Sequence, residues 1–291
     1  MKRRRLILFG ALALLVVGVV ALWPRGPKEP VYQGKPLLQW LNDSYYCNDA
    51  SAQVKLEAAT RAVKASGTNA LPFLLSCFVK NKPGAIHKIN ESLDRLGMDA
   101  LQFKEPRDSL PAASYGIHLL GPEAAPALPV FARHLEEHSG DGDTGEWAAS
   151  AMSGIGEPAF PFLVKAAAST NVTIHFNGIQ GLQTLANTTE KVVSPLMALL
   201  KDANPQLRRA AAFALRHTSF KKEQVVASLA AVLSDADSEV QQCAVNSLLK
   251  LRAVAKPAIP QLLALMNTTN ASLALMVSNT VHQIDPAALP R

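Results

Sequence analysis

The string His134-Leu-Glu-Glu-His138 places two histidines four positions apart, with a carboxylate beside the second. On a helix that spacing puts both imidazoles on one face, where they could share a zinc ion while Glu137 acts as base on a metal-bound water. A zinc-dependent hydrolase, or an enzyme subunit using this string, is therefore one function the residues allow. The surroundings argue against it. The string closes a helical pattern and runs straight into Ser139-Gly-Asp-Gly-Asp-Thr-Gly145, with no third-ligand motif or peptidase domain after it. A solvated helix end, with His138 near the negative pole of the helix dipole, accounts for the same residues. The expectation is no catalysis, no metal and no cofactor.

Other constellations are weaker. Asp141, Asp143 and Glu146 suggest a calcium loop, but its fifth, sixth and twelfth positions are Gly145, Glu146 and Met152, which do not fit the EF-hand. No phosphate-cradling Gly-Lys-Ser/Thr loop and no Gly-x-Ser-x-Gly elbow occurs, and Gly154-Ile-Gly156 reads as a helix-ending turn before Pro158. Of three cysteines, Cys243 falls on an apolar helical stripe and reads as a buried thiol; Cys47 and Cys77 either pair with each other or stay reduced. The best local cluster is Arg208, Arg209, Arg216, His217, Lys221 and Lys222, gathered around one interhelix turn. Arg208 is expected to bond Asp202 or Asp235. Arg209, Arg216, Lys221 and Lys222 are the candidate partner-binding residues, as a basic spot for an acidic peptide or a phosphate; a solvated turn is the plainer alternative.

The elements that must position these groups repeat. Asn171, Asn204, Asp237 and Asn270 stand 33 positions apart, each followed three residues later by Ile174, Leu207, Val240 or Leu273. Leu163, Leu196, Leu229 and Leu262 form a second ladder at that interval, and Leu182, Leu215, Leu248 and Val281 a third. Three ladders in one register mean one unit copied along the chain and stacked on itself. Each unit reads as two helices. Asn204 caps the first and Pro205 occupies its first turn, after which Leu207, Ala210, Ala211, Ala214 and Leu215 make a one-sided stripe. Val226, Leu229, Ala230 and Leu233 line the second, and Asp235 opens the exit turn. Neither helix buries its stripe alone, so neighbours supply the other wall. Strand patterns are nearly absent, and the class is all-α: an α-solenoid of stacked antiparallel helix pairs, preceded by one apolar helix.

The tract Asp202-Ala-Asn-Pro-Gln-Leu207-Arg208-Arg-Ala-Ala-Ala-Phe-Ala-Leu215 resembles the HEAT-repeat pattern of an acidic exit turn, aliphatic–Arg, then spaced Ala and Leu. Ala127-Leu-Pro129, Ala159-Phe-Pro161 and Ala258-Ile-Pro260, opening second helices, add to it. The likeness covers residues 49–291, most specifically 171–284. The unit is shorter than usual for that family, and Gln241 and Ala274 replace the arginine at 208. Tyr32-Gln-Gly-Lys-Pro-Leu-Leu-Gln-Trp-Leu41 also resembles a segment preceding the repeats of exported bacterial HEAT-repeat proteins. That resemblance implies family membership but no activity, and the multi-repeat surface of the solenoid is read as binding another protein.

Towards the N-terminus the units become irregular: a pair at 147–168 with a shortened first helix, one at 109–137 joined by Gly121-Pro122, an extra helix at 86–103, and a first pair at 52–79 turning at Ser66-Gly67. Leu6 to Trp23 carries no charge over eighteen residues. As a helix it is about 27 Å long, near the ~30 Å of bilayer hydrocarbon. Met1-Lys-Arg-Arg-Arg5 before it puts the N-terminus in the cytoplasm and the repeats on the exported, periplasmic or extracellular, side. Residues 1–23 are thus basic flank and membrane anchor; a cleaved signal peptide, ending near Val19-Val20-Ala21, is the competing reading and would leave the solenoid secreted. Of the net charge of +6, all comes from the first 28 residues, which hold six basic and no acidic side chains. A nucleic-acid binder keeps its excess charge on the folded domain, so DNA and RNA are not expected partners. Residues 24–48 read as a Pro-rich extended spacer followed by an amphipathic capping stripe, Leu37, Trp40, Leu41 and Tyr45; the aromatics Tyr32, Trp40, Tyr45 and Tyr46 either cover the open end of the first repeat or rest on the membrane interface. The solenoid occupies 49–291.

Overall fold

A computed structural model of the chain describes residues 27–79, 95, 109–137 and 142–289. The apolar span at 6–23, the extra helix at 86–103 apart from the helical Arg95, His138 and Asp141 lie outside the described residues. Among the described residues, no helix is long and apolar enough to cross a membrane.

Two short strands, β1 (Val31–Tyr32) and β2 (Lys35–Pro36), pair antiparallel, with Val31 opposite Pro36. The turn between them takes positive φ at Gln33 and Gly34, the two-residue hairpin geometry that glycine makes cheap. This corrects the extended spacer expected there: two paired residues per strand are too few to show alternation in the sequence. The hairpin leads directly into helix α1 (Leu37–Tyr45), whose first amides are taken by Pro30 O and the Glu29 carboxylate, at 2.9 and 2.8 Å.

Thereafter the chain alternates between two layers. First helices are α2 (Ala52–Ser66), α4 (Leu110–Leu120), α6 (Gly142–Ile155), α8 (Val172–Thr188), α10 (Pro205–Ala214), α12 (Ser238–Leu251) and α14 (Ala271–Ile284). Second helices are α3 (Leu71–Val79), α5 (Leu128–Glu137), α7 (Phe160–Ala167), α9 (Val193–Leu199), α11 (Lys222–Ala231) and α13 (Ile259–Leu265). Each first helix packs on the next first helix, giving the all-α solenoid the ladders require. All four capping side chains accept first-turn amides: Asn171 from Thr173 and Ile174, Asn204 from Gln206, Asp237 from Glu239 and Val240, and Asn270 from Leu273, at 2.9–3.2 Å. The ladders Leu163–Leu196–Leu229–Leu262 and Leu182–Leu215–Leu248–Val281 are wholly buried. Helix α6 is a correction: it runs fourteen residues, where a shortened helix was expected. Its start, Gly142-Asp-Thr-Gly145, has loop composition but helical backbone.

Buried hydroxyls stitch successive units. Ser247 Oγ donates to Ala212 O (2.7 Å), Thr218 Oγ1 to Ala186 O (3.1 Å) and Ser114 Oγ to Trp147 O (3.1 Å). Between α8 and α7 the approach is closest: a Cβ on Gly178 would stand 2.4 Å from the backbone nitrogen of Ala167. At the N-terminal end, Leu37 and Leu41 are fully buried where α1 lies across α2 and α4.

Candidate partner-binding site

Of the zinc-type string, His134 is buried on α5, its ring edge-on to Phe78 at 5.9 Å, whereas Glu137 at the helix end is exposed. His134 thus lies in the core while Glu137 faces solvent, and the string's second histidine is outside the described residues. Among the described residues no group of three or more His, Cys, Asp or Glu side chains is placed to hold a metal ion. The acidic turn before Trp147 is absorbed into the first turn of α6, leaving no twelve-residue loop there. Cys47 is not joined to Cys77. Its Sγ accepts from Lys55 Nζ at 3.3 Å beside Asp49 and Ser51, and bonds from Ser51 hold the Asp49 carboxyl at about 2. Cys243, expected as a buried thiol, is half-buried, and desolvation pushes its thiol up.

The basic residues around the turn make different contacts. Arg208 makes a two-pronged pair with Asp235, Nε to Oδ2 at 2.7 Å and an Nη to Oδ1 at 2.8 Å, and its other Nη reaches Asp202 O. Asp235 is thus the carboxylate partner, and Asp202 contributes its carbonyl. Arg209 is taken by an ion pair with Glu239 of the next unit. Lys221, at a left-handed φ of 48°, donates to Ser194 Oγ at 2.8 Å. Lys222 is half-buried at the start of α11. Arg216 alone turns elsewhere. Its guanidinium carbon lies 3.7 Å from the centre of the Phe213 ring, and burial draws its pKa below the ordinary value.

Arg216 faces a cleft of about 240 Å³ lined also by Glu146 and Ser150 of α6 and by Asn177, Gln180 and Gln183 of α8. Ser150, Gln183 and Arg216 are 33 residues apart, so equivalent positions of three successive units build the cleft. Two buried atoms in it lack partners, Arg216 Nε and Gln183 Oε1. Buried polar atoms without partners are rare enough to need a reason.

An aromatic cluster adjoins the cleft. Tyr45 rings contact Tyr46 at 5.0 Å, Tyr115 at 5.8 Å and Trp147 at 6.1 Å. Tyr46 is 62% exposed and Tyr45 39%, while Tyr115 bonds Ser44 through its hydroxyl at 3.3 Å. Burial, Tyr46 and Glu146 together raise the Tyr45 pKa, and Glu146 is also a wall of the cleft. Tyr32 and Trp40 close on each other at 6.1 Å, whereas Tyr45 bridges α1 to the first-helix layer and both it and Tyr46 stay open to solvent. The signal for this surface was in the sequence, because Trp147, Gln180 and Phe213 also stand 33 apart, on the face of the first helices that the buried ladders leave outside.

Residues 193–278 match the family model of HEAT repeats. No curated protein matches the chain. Among solved structures, the crystal structure of an engineered protein from a structural genomics programme aligns at 17% identity over 86% of this chain and 96% of that one, with a TM-score of 0.34. A likeness that loose carries no weight about function.

Proposed function

We propose that this chain is a membrane-tethered scaffold or adaptor that binds another protein through the outer face of its first-helix layer, without catalysis. Residues 6–23 hold it in the membrane with the N-terminus in the cytoplasm and the solenoid on the exported side; cleavage after the apolar stretch would release the same solenoid. The observation that carries the reading is the open aromatic cluster of Tyr45, Tyr46, Tyr115 and Trp147 beside a polar cleft. Tyrosine, tryptophan and arginine are the side chains that dominate interface energies, because they combine large rigid area with a polar tip. The HEAT-repeat match supports a binding role, since stacked units create the extended surfaces that repeat proteins use for binding.

Affinity purification of the tagged full chain from solubilised membranes tests it. The wild type is expected to recover one recurrent protein, and the Tyr45→Ala/Tyr46→Ala double variant to lose it. Equal recovery by both would remove this face from the proposal. Carbonate washing of membranes checks the tether: the full chain stays in the pellet, and a chain lacking residues 6–23 does not.

A further inference from the structure

We infer that the cleft between α6, α8 and the end of α10 is a receptor for one carboxylate, an Asp or Glu side chain presented by the bound protein, with Arg216 as its counter-charge. This deepens the reading above and rests on it.

Charge comes first. Among the described residues, the neighbouring arginines are each matched by a carboxylate, Arg208 by Asp235 and Arg209 by Glu239, and Arg216 has none at ion-pair distance. Its Nε is buried with no acceptor, yet its guanidinium is held in place over Phe213. A half-buried cation fixed by stacking and short of an acceptor is prepared for an anion from outside. A guanidinium presents parallel N–H groups that match the two oxygens of a carboxylate.

The rest of the lining selects the kind of anion. Asn177, Gln180 and Gln183 supply neutral amides, Ser150 a hydroxyl, and Glu146 a negative charge. A phosphate dianion needs several cations and would be repelled by Glu146, whereas one carboxylate balances one arginine. Lys221 and Arg209, which would have made a phosphate site, are committed to Ser194 and Glu239. Side-chain amides both donate and accept, so they suit the N–H and C=O groups of a backbone continuing past the acidic residue on both sides. A chain terminus would leave part of that row unused. Gln183 Oε1, buried without a donor, is the acceptor waiting for such an N–H.

The test uses saturation-transfer NMR on the detergent-solubilised full chain with small probes. N-acetyl-glutamate N-methylamide carries the side-chain carboxylate, N-acetyl-glutamine N-methylamide is its neutral counterpart, and N-acetyl-alanine carries a terminal carboxylate. The expected result is saturable binding of the glutamate probe with a Kd on the order of millimolar, the scale of a single ion pair with few neighbours. Arg216→Gln weakens it at least tenfold. Glu146→Gln tightens it several-fold, an opposite effect that misfolding cannot mimic. Equal binding of the glutamine probe, or unchanged binding in Arg216→Gln, overturns the proposal. Preferential binding of N-acetyl-alanine, or displacement by inorganic phosphate at lower concentration, overturns the assignment to an acidic side chain. Loss of the partner in the Tyr45→Ala/Tyr46→Ala variant, alongside unchanged recovery by Arg216→Gln, would leave the docking face standing and remove the carboxylate.

Discussion

At the scale of single residues, the pair Arg208–Asp235 shows how a charge is spent on the fold. Only 17% of the arginine side chain and 9% of the aspartate are exposed, and the hydrogen bonds from Arg208 hold the Asp235 carboxyl below the usual range. A depressed carboxylate pKa means that the unfolded chain takes up the proton first as pH falls. The stabilisation is therefore complete above the ordinary aspartate value of about 3.9 and is lost as pH drops through the lower folded value. Arg208→Met is expected to cost about 1–2 kcal/mol at pH 7 in urea unfolding, as a partly buried bidentate pair does. The gap from wild type should narrow below about pH 4; a gap independent of pH would assign the loss to packing of the arginine stem. The aspartate's candidacy as partner was legible in the sequence. The fate of Arg209 was not, because Glu239 lies 30 residues on and meets it only once the units are stacked.

Elements are where the repeat can be checked against its own exceptions. After α4 and α6 the chain turns through Gly121 and Gly156, at φ of 61° and 90°, in a region that costs an L side chain dearly. The matching position after α12 is Arg252, at φ 54° and ψ −130°. Arg252→Gly is expected to raise stability by about 1 kcal/mol, the relief of strain exceeding glycine's entropy cost. A lower melting temperature would contradict that backbone assignment. Gly178→Ala should destabilise by about 1–3 kcal/mol, because the nearest obstacle to a Cβ is backbone of α7 and cannot swing away. Helix caps and buried ladders were fully readable, since each rests on local chemistry repeated in register. The hairpin at 31–36 and the length of α6 were not: the first is too short to show a period, and the second begins with glycines and aspartate that tertiary packing overrides.

The whole molecule behaves as a row in which each unit leans on its neighbours, so stability is local. Helix α1 covers the first pair with Leu37 and Leu41. Removing residues 27–48 from the chain is expected to speed amide exchange over α2 and α4 and to leave 171–284 nearly unchanged; uniform loss would indicate one indivisible core. The cleft was only half legible, because Arg216 was visible as a cation but its stacking on Phe213 and the lining it shares with α6 and α8 needed three dimensions. The central claim, that the outer face of the first helices receives a protein, is tested most directly by placing a photo-crosslinking residue at Trp147, Gln180, Phe213 or Asn246, with Ala227 and Gln261 of the second layer as controls, in cells. One common partner captured from several of the first four sites and from neither control is the expected result. Capture from Ala227 and Gln261 as efficiently as from the others, or from none of the six, would contradict it.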